Sequence, residues 1–281
     1  MTYEIREVEY QPGLLARVYE PAGDGPVPLL LDIHGGGWNN GDRTNNEPID
    51  SWLAERGIAV AAVDFRQPPA WHYPDSIADI NLAARWVRAH ACEFKGSPDR
   101  VGWLGTSSGG HMAALAALRP FDPRYTVLPH EGGSGAALPE ALEGQGGDAR
   151  LACLVACWPV VDPLARYRMV KAAGRESMVK GHLAYWGSEA AMEEGNPVLL
   201  LERGEKAELP PALVIQGTND DNVTPDMADR FGAAYRKAGG VIELRKYEGQ
   251  PHSFIKRGGD GGAPEQALKE IEAFVKRTLS P

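Results

Sequence analysis

Short apolar runs recur along the chain, each closed by turn residues. They cover residues 27–33 (VPLLLDI), 58–63 (IAVAAV), 101–104 (VGWL), 151–156 (LACLVA) and 212–215 (ALVI). Apolar residues at successive positions, without polar alternation, mark strands buried on both faces. Residues 3–10 and 14–19 alternate more and predict an antiparallel pair at one edge. Helical spacing fills the gaps. Residues 76–94 place Ile77, Ile80, Ala84, Val87 and Ala91 on one face, with Asp75 as N-cap. Residues 227–238 follow Thr224-Pro225, a capping residue and then proline at the first helical position. A helix over 267–279 closes the chain. Strands alternating with helices predict right-handed crossovers and a mostly parallel central sheet with helices on both faces.

Two regions break this rhythm. Residues 121–150 are rich in glycine, proline and charge and predict a long surface excursion. Residues 158–196 carry aromatic and basic residues and two helix-like stretches. Lying between two strands, they predict a small cap insertion over the carboxyl edge of the sheet. No internal repeat or dividing linker is present, so residues 1–281 read as one domain with these insertions.

Composition changes this picture little. With 43% hydrophobic and 24% charged residues, the chain has an ordinary globular balance. The net charge of -9 argues against nucleic acid or an anionic membrane as partner, since both require a basic footprint. No apolar run approaches the ~18 residues that span a bilayer. The opening MTYEIREVEYQPG lacks the pattern of a secretory signal. The three cysteines, Cys92, Cys153 and Cys157, are odd in number and read as reduced thiols. Together these predict a cytoplasmic protein. Cys153 and Cys157 read as core residues, and no metal site is expected, because no nearby His or Cys completes four ligands.

The chemistry gathers at the strand ends. Gly105-Thr106-Ser107-Ser108-Gly109 fits G-x-S-x-G with Ser107 at its centre, between an apolar strand and a small-residue helix. A nucleophile on such a turn needs small neighbours, because its backbone is strained and strand and helix pack closely. Ser108 follows at the helix start, where its N–H can face an oxyanion. His34-Gly35-Gly36-Gly37-Trp38 ends the 27–33 strand, and its glycines let N–H groups turn toward an anion. In Gly217-Thr218-Asn219-Asp220-Asp221-Asn222-Val223 one of two carboxylates can orient a catalytic histidine. Gly249-Gln250-Pro251-His252-Ser253-Phe254 supplies a histidine late in the chain. The order serine, aspartate, histidine is that of a hydrolase on a parallel sheet. Of the other histidines, His34 is expected to fix the glycine loop and His111 to pack under the serine turn. His72, His90, His130 and His182 have no motif around them.

HGGGW, GTSSGGH, GTNDDNV and GQPHSF together resemble the α/β-hydrolase superfamily, and within it the hormone-sensitive-lipase-like carboxylesterases and the related small acetyl-esterase and feruloyl-esterase-like hydrolases. The resemblance runs from about Val27 to the C-terminus. It implies an α/β-hydrolase fold with Ser107 as nucleophile, His252 as general base and acid, and Asp220 as the orienting carboxylate, the family's aspartate lying three residues after the glycine. The N–H groups of Gly36, Gly37 and Ser108 would form the oxyanion hole. Two departures point to the smaller esterases. Gly-Thr-Ser-Ser-Gly-Gly replaces the lipase-like Gly-Asp-Ser-Ala-Gly-Gly, and Val27 opens the HGGG strand too early to leave room for a long helical cap before it.

The implied chemistry is hydrolysis of a small or aromatic ester through an acyl-enzyme, with no cofactor and a small-molecule ester as partner. Trp38, Trp71, Tyr73, Trp158, Tyr185 and Trp186 are candidate substrate-pocket residues. The same groups would serve an amidase of the kynurenine-formamidase or small-peptide type. A ligand-binding protein without catalysis is a reading of another class, which the presence of all three catalytic residue types disfavours. A homodimer is compatible with the sequence on general grounds alone.

Overall fold

The structure is a computed structural model that describes residues 3–126, 148–257 and 261–279. Its centre is an eight-stranded sheet in the order β1-β2-β4-β3-β5-β6-β7-β8. The strands are β1 (Tyr3–Gln11), β2 (Leu14–Pro21), β3 (Leu29–Ile33), β4 (Ala59–Val63), β5 (Val101–Thr106), β6 (Leu154–Cys157), β7 (Ala212–Gly217) and β8 (Ile242–Tyr247). β1 and β2 form the antiparallel edge pair, β2 joins β4 antiparallel, and β3 through β8 run parallel. The helices are α1 (Glu47–Ala54), α2 (Asp75–Ala89), α3 (Ser108–Leu118), α4 (Pro163–Ala172), α5 (Glu176–Trp186), α6 (Glu189–Glu194), α7 (Pro197–Glu202), α8 (Pro225–Lys237) and α9 (Gly262–Leu279). This is an α/β-hydrolase fold.

The unbroken apolar runs follow from two cores, one on each face. In β3, Leu29, Leu31 and Ile33 enter the larger core, together with residues of α2, α3, α7 and α8. Leu30 points the other way, into the core built with α1 and α9. β7 divides likewise, with Ala212 and Val214 on one side and Leu213 and Ile215 on the other. A strand buried on both faces has no position where a polar residue is cheap to place.

Local starts and stops differ from the sequence pattern in places. α2 begins at Asp75 itself, with Pro74 at the cap position and no capping side chain. Asp75 instead accepts from the His72 N–H at 3.1 Å. The stretch to residue 94 finishes as a separate 3-10 turn, Ala91–Phe94. Thr224 does occupy the cap position of α8 with Pro225 behind it, but its side chain makes no capping bond. The segment expected to form a cap carries three helices, α4, α5 and α6, where two were expected. Of the expected surface excursion, residues 127–147 lie outside the described residues. No helix among the described residues is long and apolar enough to cross a membrane.

Candidate active site

Ser107 sits between β5 and α3 with φ 53° and ψ -118°. A non-glycine residue holds such a backbone only when its surroundings over-determine it. Here the Ser107 N–H donates to Cys157 O at 2.9 Å, and Ser107 O accepts from His111 N and Val160 N, each at 3.1 Å. The end of β6 and the first turn of α3 therefore clamp the serine from both sides. Gly109 allows the close approach that the turn requires. A Cβ there would lie 2.1 Å from Ile33 O and 2.3 Å from His34 O.

The other two groups come from loops after β7 and β8. His252 Nε2 lies 3.0 Å from Ser107 Oγ, and its Nδ1 lies 2.8 Å from Asp220 Oδ2. The serine hydroxyl can thus donate to Nε2 while Nδ1–H donates to the carboxylate. Asp220 is itself held in place. Its Oδ1 accepts from Asn222 N at 2.9 Å and Val223 N at 2.8 Å, and its Oδ2 accepts from Gln216 Nε2 at 3.1 Å. Burial alone would raise the Asp220 pKa. The bond to His252, the histidine's charge and the two backbone N–H groups outweigh burial and hold the carboxyl below its ordinary range. Asp221, the alternative carboxylate, is instead exposed and paired with Arg175 at 2.9 Å.

The glycine loop faces this chain of bonds. Gly36 has φ +124°, and a Cβ there would lie 1.8 Å from Asn40 O. Gly36 and Gly37 border the cavity beside Ser107. Among the described residues, the N–H groups of Gly36, Gly37 and Ser108 have no protein acceptor. Two buried histidines stabilise the surroundings. His34 Nδ1 contacts Gly35 O at 2.6 Å, and its ring stacks on Phe65 at 4.3 Å. His111 Nδ1 accepts from Trp38 Nε1 at 3.2 Å, and its Nε2 donates to Gly195 O at 2.8 Å. Burial pushes both imidazoles down to about 4, so both are neutral at pH 7.

The cavity has a volume of about 290 Å³, at the small end for ligand pockets. Of the six aromatic residues expected around a substrate, Trp158 borders it; the other five do not. Trp38 stacks on Tyr185 at 5.4 Å and meets Trp186 edge-on at 5.6 Å. Tyr73 packs against Trp186 at 4.6 Å. These four form the apolar seam between the cap and the body. Trp71 lies under the Arg66 guanidinium at 4.3 Å. A cap must bury its own underside before it can offer a pocket wall.

The cavity wall also holds Asn222, a motif residue given no role by the sequence, and Arg166 and Lys256, which lie outside the motifs. Arg166 had a usable signal. Pro163, Arg166, Tyr167 and Val170 fall on one buried helical face, so a charged residue stands in an apolar stripe. Behind the glycine loop, Asn46 Nδ2 donates to both Asp32 oxygens at 2.8 and 2.9 Å, and Thr106 Oγ1 donates to Asn46 Oδ1 at 3.0 Å. Burial pushes the Asp32 carboxyl up to about 7 and the Asp50 carboxyl well above its usual range. Among the described residues no cluster of His, Cys, Asp or Glu could hold a metal ion.

Known proteins are similar to this chain in sequence or in fold. The probable carboxylic ester hydrolase LipM of Mycobacterium tuberculosis is 32% identical over 228 residues, covering 81% of this chain and 47% of that protein. Esterase LipC of the same organism is 28% identical over 242 residues, covering 82% and 53%. The chain spans about half the length of the curated relatives it matches. Among solved structures, esterase 2 of Thermogutta terrifontis with propionate bound superposes with a TM-score of 0.72 at 24% identity, covering 100% of this chain and 96% of that one. The BD-FAE family model matches residues 17–234, from within the second strand of the edge pair into α8, and includes the glycine loop, the Ser107 turn and Asp220. On that match, with the fold in agreement, the chain belongs to the BD-FAE family.

Proposed function

We propose that this protein is a serine carboxylic ester hydrolase that cleaves small esters through an acyl-enzyme on Ser107. One observation carries the reading: the unbroken run from Ser107 Oγ to His252 Nε2 at 3.0 Å and from His252 Nδ1 to Asp220 Oδ2 at 2.8 Å. His252 takes the hydroxyl proton as Ser107 attacks the ester carbonyl. Asp220 fixes the ring tautomer and stabilises the imidazolium that forms. The tetrahedral oxyanion is received by the N–H groups of Gly36, Gly37 and Ser108, each worth roughly 3 kcal/mol of barrier in comparable sites. His252 then returns the proton to the departing alcohol, and water cleaves the acyl-enzyme by the same route. Relatives named as ester hydrolases support the reaction class. The cavity volume of about 290 Å³ supports small substrates.

The test is hydrolysis of p-nitrophenyl esters from acetyl to dodecanoyl, with aromatic acyl groups and matched anilides, against Ser107→Ala. Turnover of the short esters that disappears in Ser107→Ala is the expected result. Anilide cleavage at comparable rates would move the assignment to an amidase. Silence across the panel, with Ser107 unlabelled by an organophosphate, would overturn the enzymatic reading.

A further inference from the structure

Arg166 is 6% exposed, and it borders the same cavity as Ser107 and His252. Its polar partners are all neutral. Nε donates to Asn222 O at 3.1 Å and to Asn222 Oδ1 at 3.2 Å, and Nη2 donates to the same Oδ1. Nη1 meets His182 Nε2 at 3.2 Å. The His182 ring is fixed in turn by Met178 O, 2.8 Å from Nδ1. The guanidinium also lies over the Trp38 ring at 5.9 Å. A guanidinium carries five N–H donors. One on each nitrogen is engaged, so one N–H on each Nη is left without a protein acceptor.

The positive charge has no carboxylate of its own among the described residues. Asp220, the anion that acts on it, is committed to His252 and to three further donors. Asp221 is paired with Arg175, whose own charge acts against Arg166. Lys256 is a second cation on the cavity wall, but Asp32 and Asp50 offset it. Burial pulls the Arg166 pKa down to about 10, a sign of how poorly the charge is compensated. A buried cation without a counter-ion is strongly unfavourable. It is readily tolerated in a site that an anion enters during function. Two free N–H donors on one guanidinium suit a carboxylate.

We propose that Arg166 is a specificity-determining residue that binds a carboxylate borne by the substrate, so that the preferred esters are small and carry a free carboxylate on the acyl or the alcohol part. This rests on the esterase reading of Ser107 and names the substrate class of that same site.

The experiment uses two isosteric pairs followed by acid release in a pH-stat at pH 7.5. Monoethyl succinate is compared with ethyl 4-oxopentanoate, and acetoxyacetate with acetoxyacetone. The expected result is a kcat/KM ratio of about 100-fold in favour of the anionic member of at least one pair. In Arg166→Met that ratio falls to one or below, and Arg166→Lys keeps part of it. A wild-type ratio at or below one in both pairs overturns the proposal, and that measurement needs no variant to fold. So does a ratio unchanged in Arg166→Met, or an equal fall for both members of a pair, which would make Arg166 a positioning residue for the Asp220 loop. Neutral esters cleaved without any preference, in a reaction lost in Ser107→Ala, sink this inference and leave the esterase reading intact. Failure to cleave all four esters, with Ser107 unlabelled by an organophosphate, sinks both.

Discussion

Gly109→Ala tests whether the serine turn depends on near-contact between α3 and the end of β3. The added Cβ would lie 2.1 Å from Ile33 O and 2.3 Å from His34 O, both backbone atoms. Neither can swing aside as a side chain would, so β3 and α3 must separate by about 1 Å to restore normal contact. Alanine gains up to about 1 kcal/mol over glycine inside a helix. Overpacking of this kind costs about 1–3 kcal/mol. Set against the full alanine gain, the net expectation is a loss of up to about 2 kcal/mol, or a Tm lower by up to about 8 °C for a domain of this size. The catalytic effect is larger. Ile33 and His34 lead directly into the loop bearing Gly36 and Gly37, and a misplacement of about 1 Å costs on the order of 100-fold in rate. Gly181→Ala is the control. It also replaces a helical glycine, but its Cβ would meet Asn39 Nδ2 at an ordinary 3.5 Å. It should raise stability by about 0.5–1 kcal/mol and leave kcat/KM on p-nitrophenyl acetate within about threefold. If Gly109→Ala melts with wild type and keeps its kcat within the same threefold, close approach is not what this turn requires.

The remaining predictions address separate parts of the site. Asp220→Asn should lower kcat on p-nitrophenyl acetate by on the order of 10⁴, whereas Asp221→Asn, at an exposed carboxylate paired with Arg175, should stay within about threefold; steady-state kinetics on both variants decides. His111 remains neutral in the folded protein down to about pH 4 but protonates near pH 6.5 when unfolded. The stability it contributes is therefore complete above pH 6.5 and is lost as pH falls toward 4. His111→Gln should flatten the dependence of unfolding free energy on pH by about 1.4 kcal/mol per unit across that window, and an unchanged slope in urea titrations would refute the assignment. Trp186→Ala should destabilise by about 3–5 kcal/mol without altering acyl-length preference, because Trp186 packs the cap seam and does not border the cavity. Asp162 is almost fully buried and accepts from Ala165 N, Asn196 Nδ2 and Arg230 Nη1, so Asp162→Ala should cost about 3 kcal/mol, visible as earlier proteolysis within 163–194.

Much of the scaffold was legible because strands buried on both faces leave an unbroken apolar imprint. Residues 59–63 and 212–215 show this well, and 29–33 do so apart from Asp32. Ser107, Asp220 and His252 were legible for a related reason. Each sits in a loop whose glycines answer to steric demands, and those demands fix local sequence. Helix starts were less so, because a proline or threonine can take the cap position without making a capping bond, as Pro74 and Thr224 do. The pocket wall was least legible. Trp38, Tyr185 and Trp186 have the residue types of a binding surface, but whether a ring faces a cavity or another ring depends on how the cap docks. Arg166 was hidden among Arg168 and Lys171, and only its place in the helical stripe sets it apart.

Beside its aromatic seam and its side-chain contacts, the cap offers four of its own carbonyl groups to the body. Asn39 Nδ2 donates to Gly181 O at 3.0 Å, and His72 Nδ1 meets Ala184 O at 2.7 Å. Tyr73 N donates to Tyr185 O at 3.0 Å, and His111 Nε2 to Gly195 O at 2.8 Å. A main-chain oxygen is present whatever residue carries it. Attachment of this kind tolerates turnover of outward side chains on α5 and α6 without detaching the element. Mutational drift can therefore accumulate on those outward faces at little structural penalty, while the loops bearing Ser107, Asp220 and His252, bound by steric limits, have few acceptable replacements. Within one chain, the outer faces of the cap and the loops at the carboxyl edge of the sheet are free to evolve at different rates.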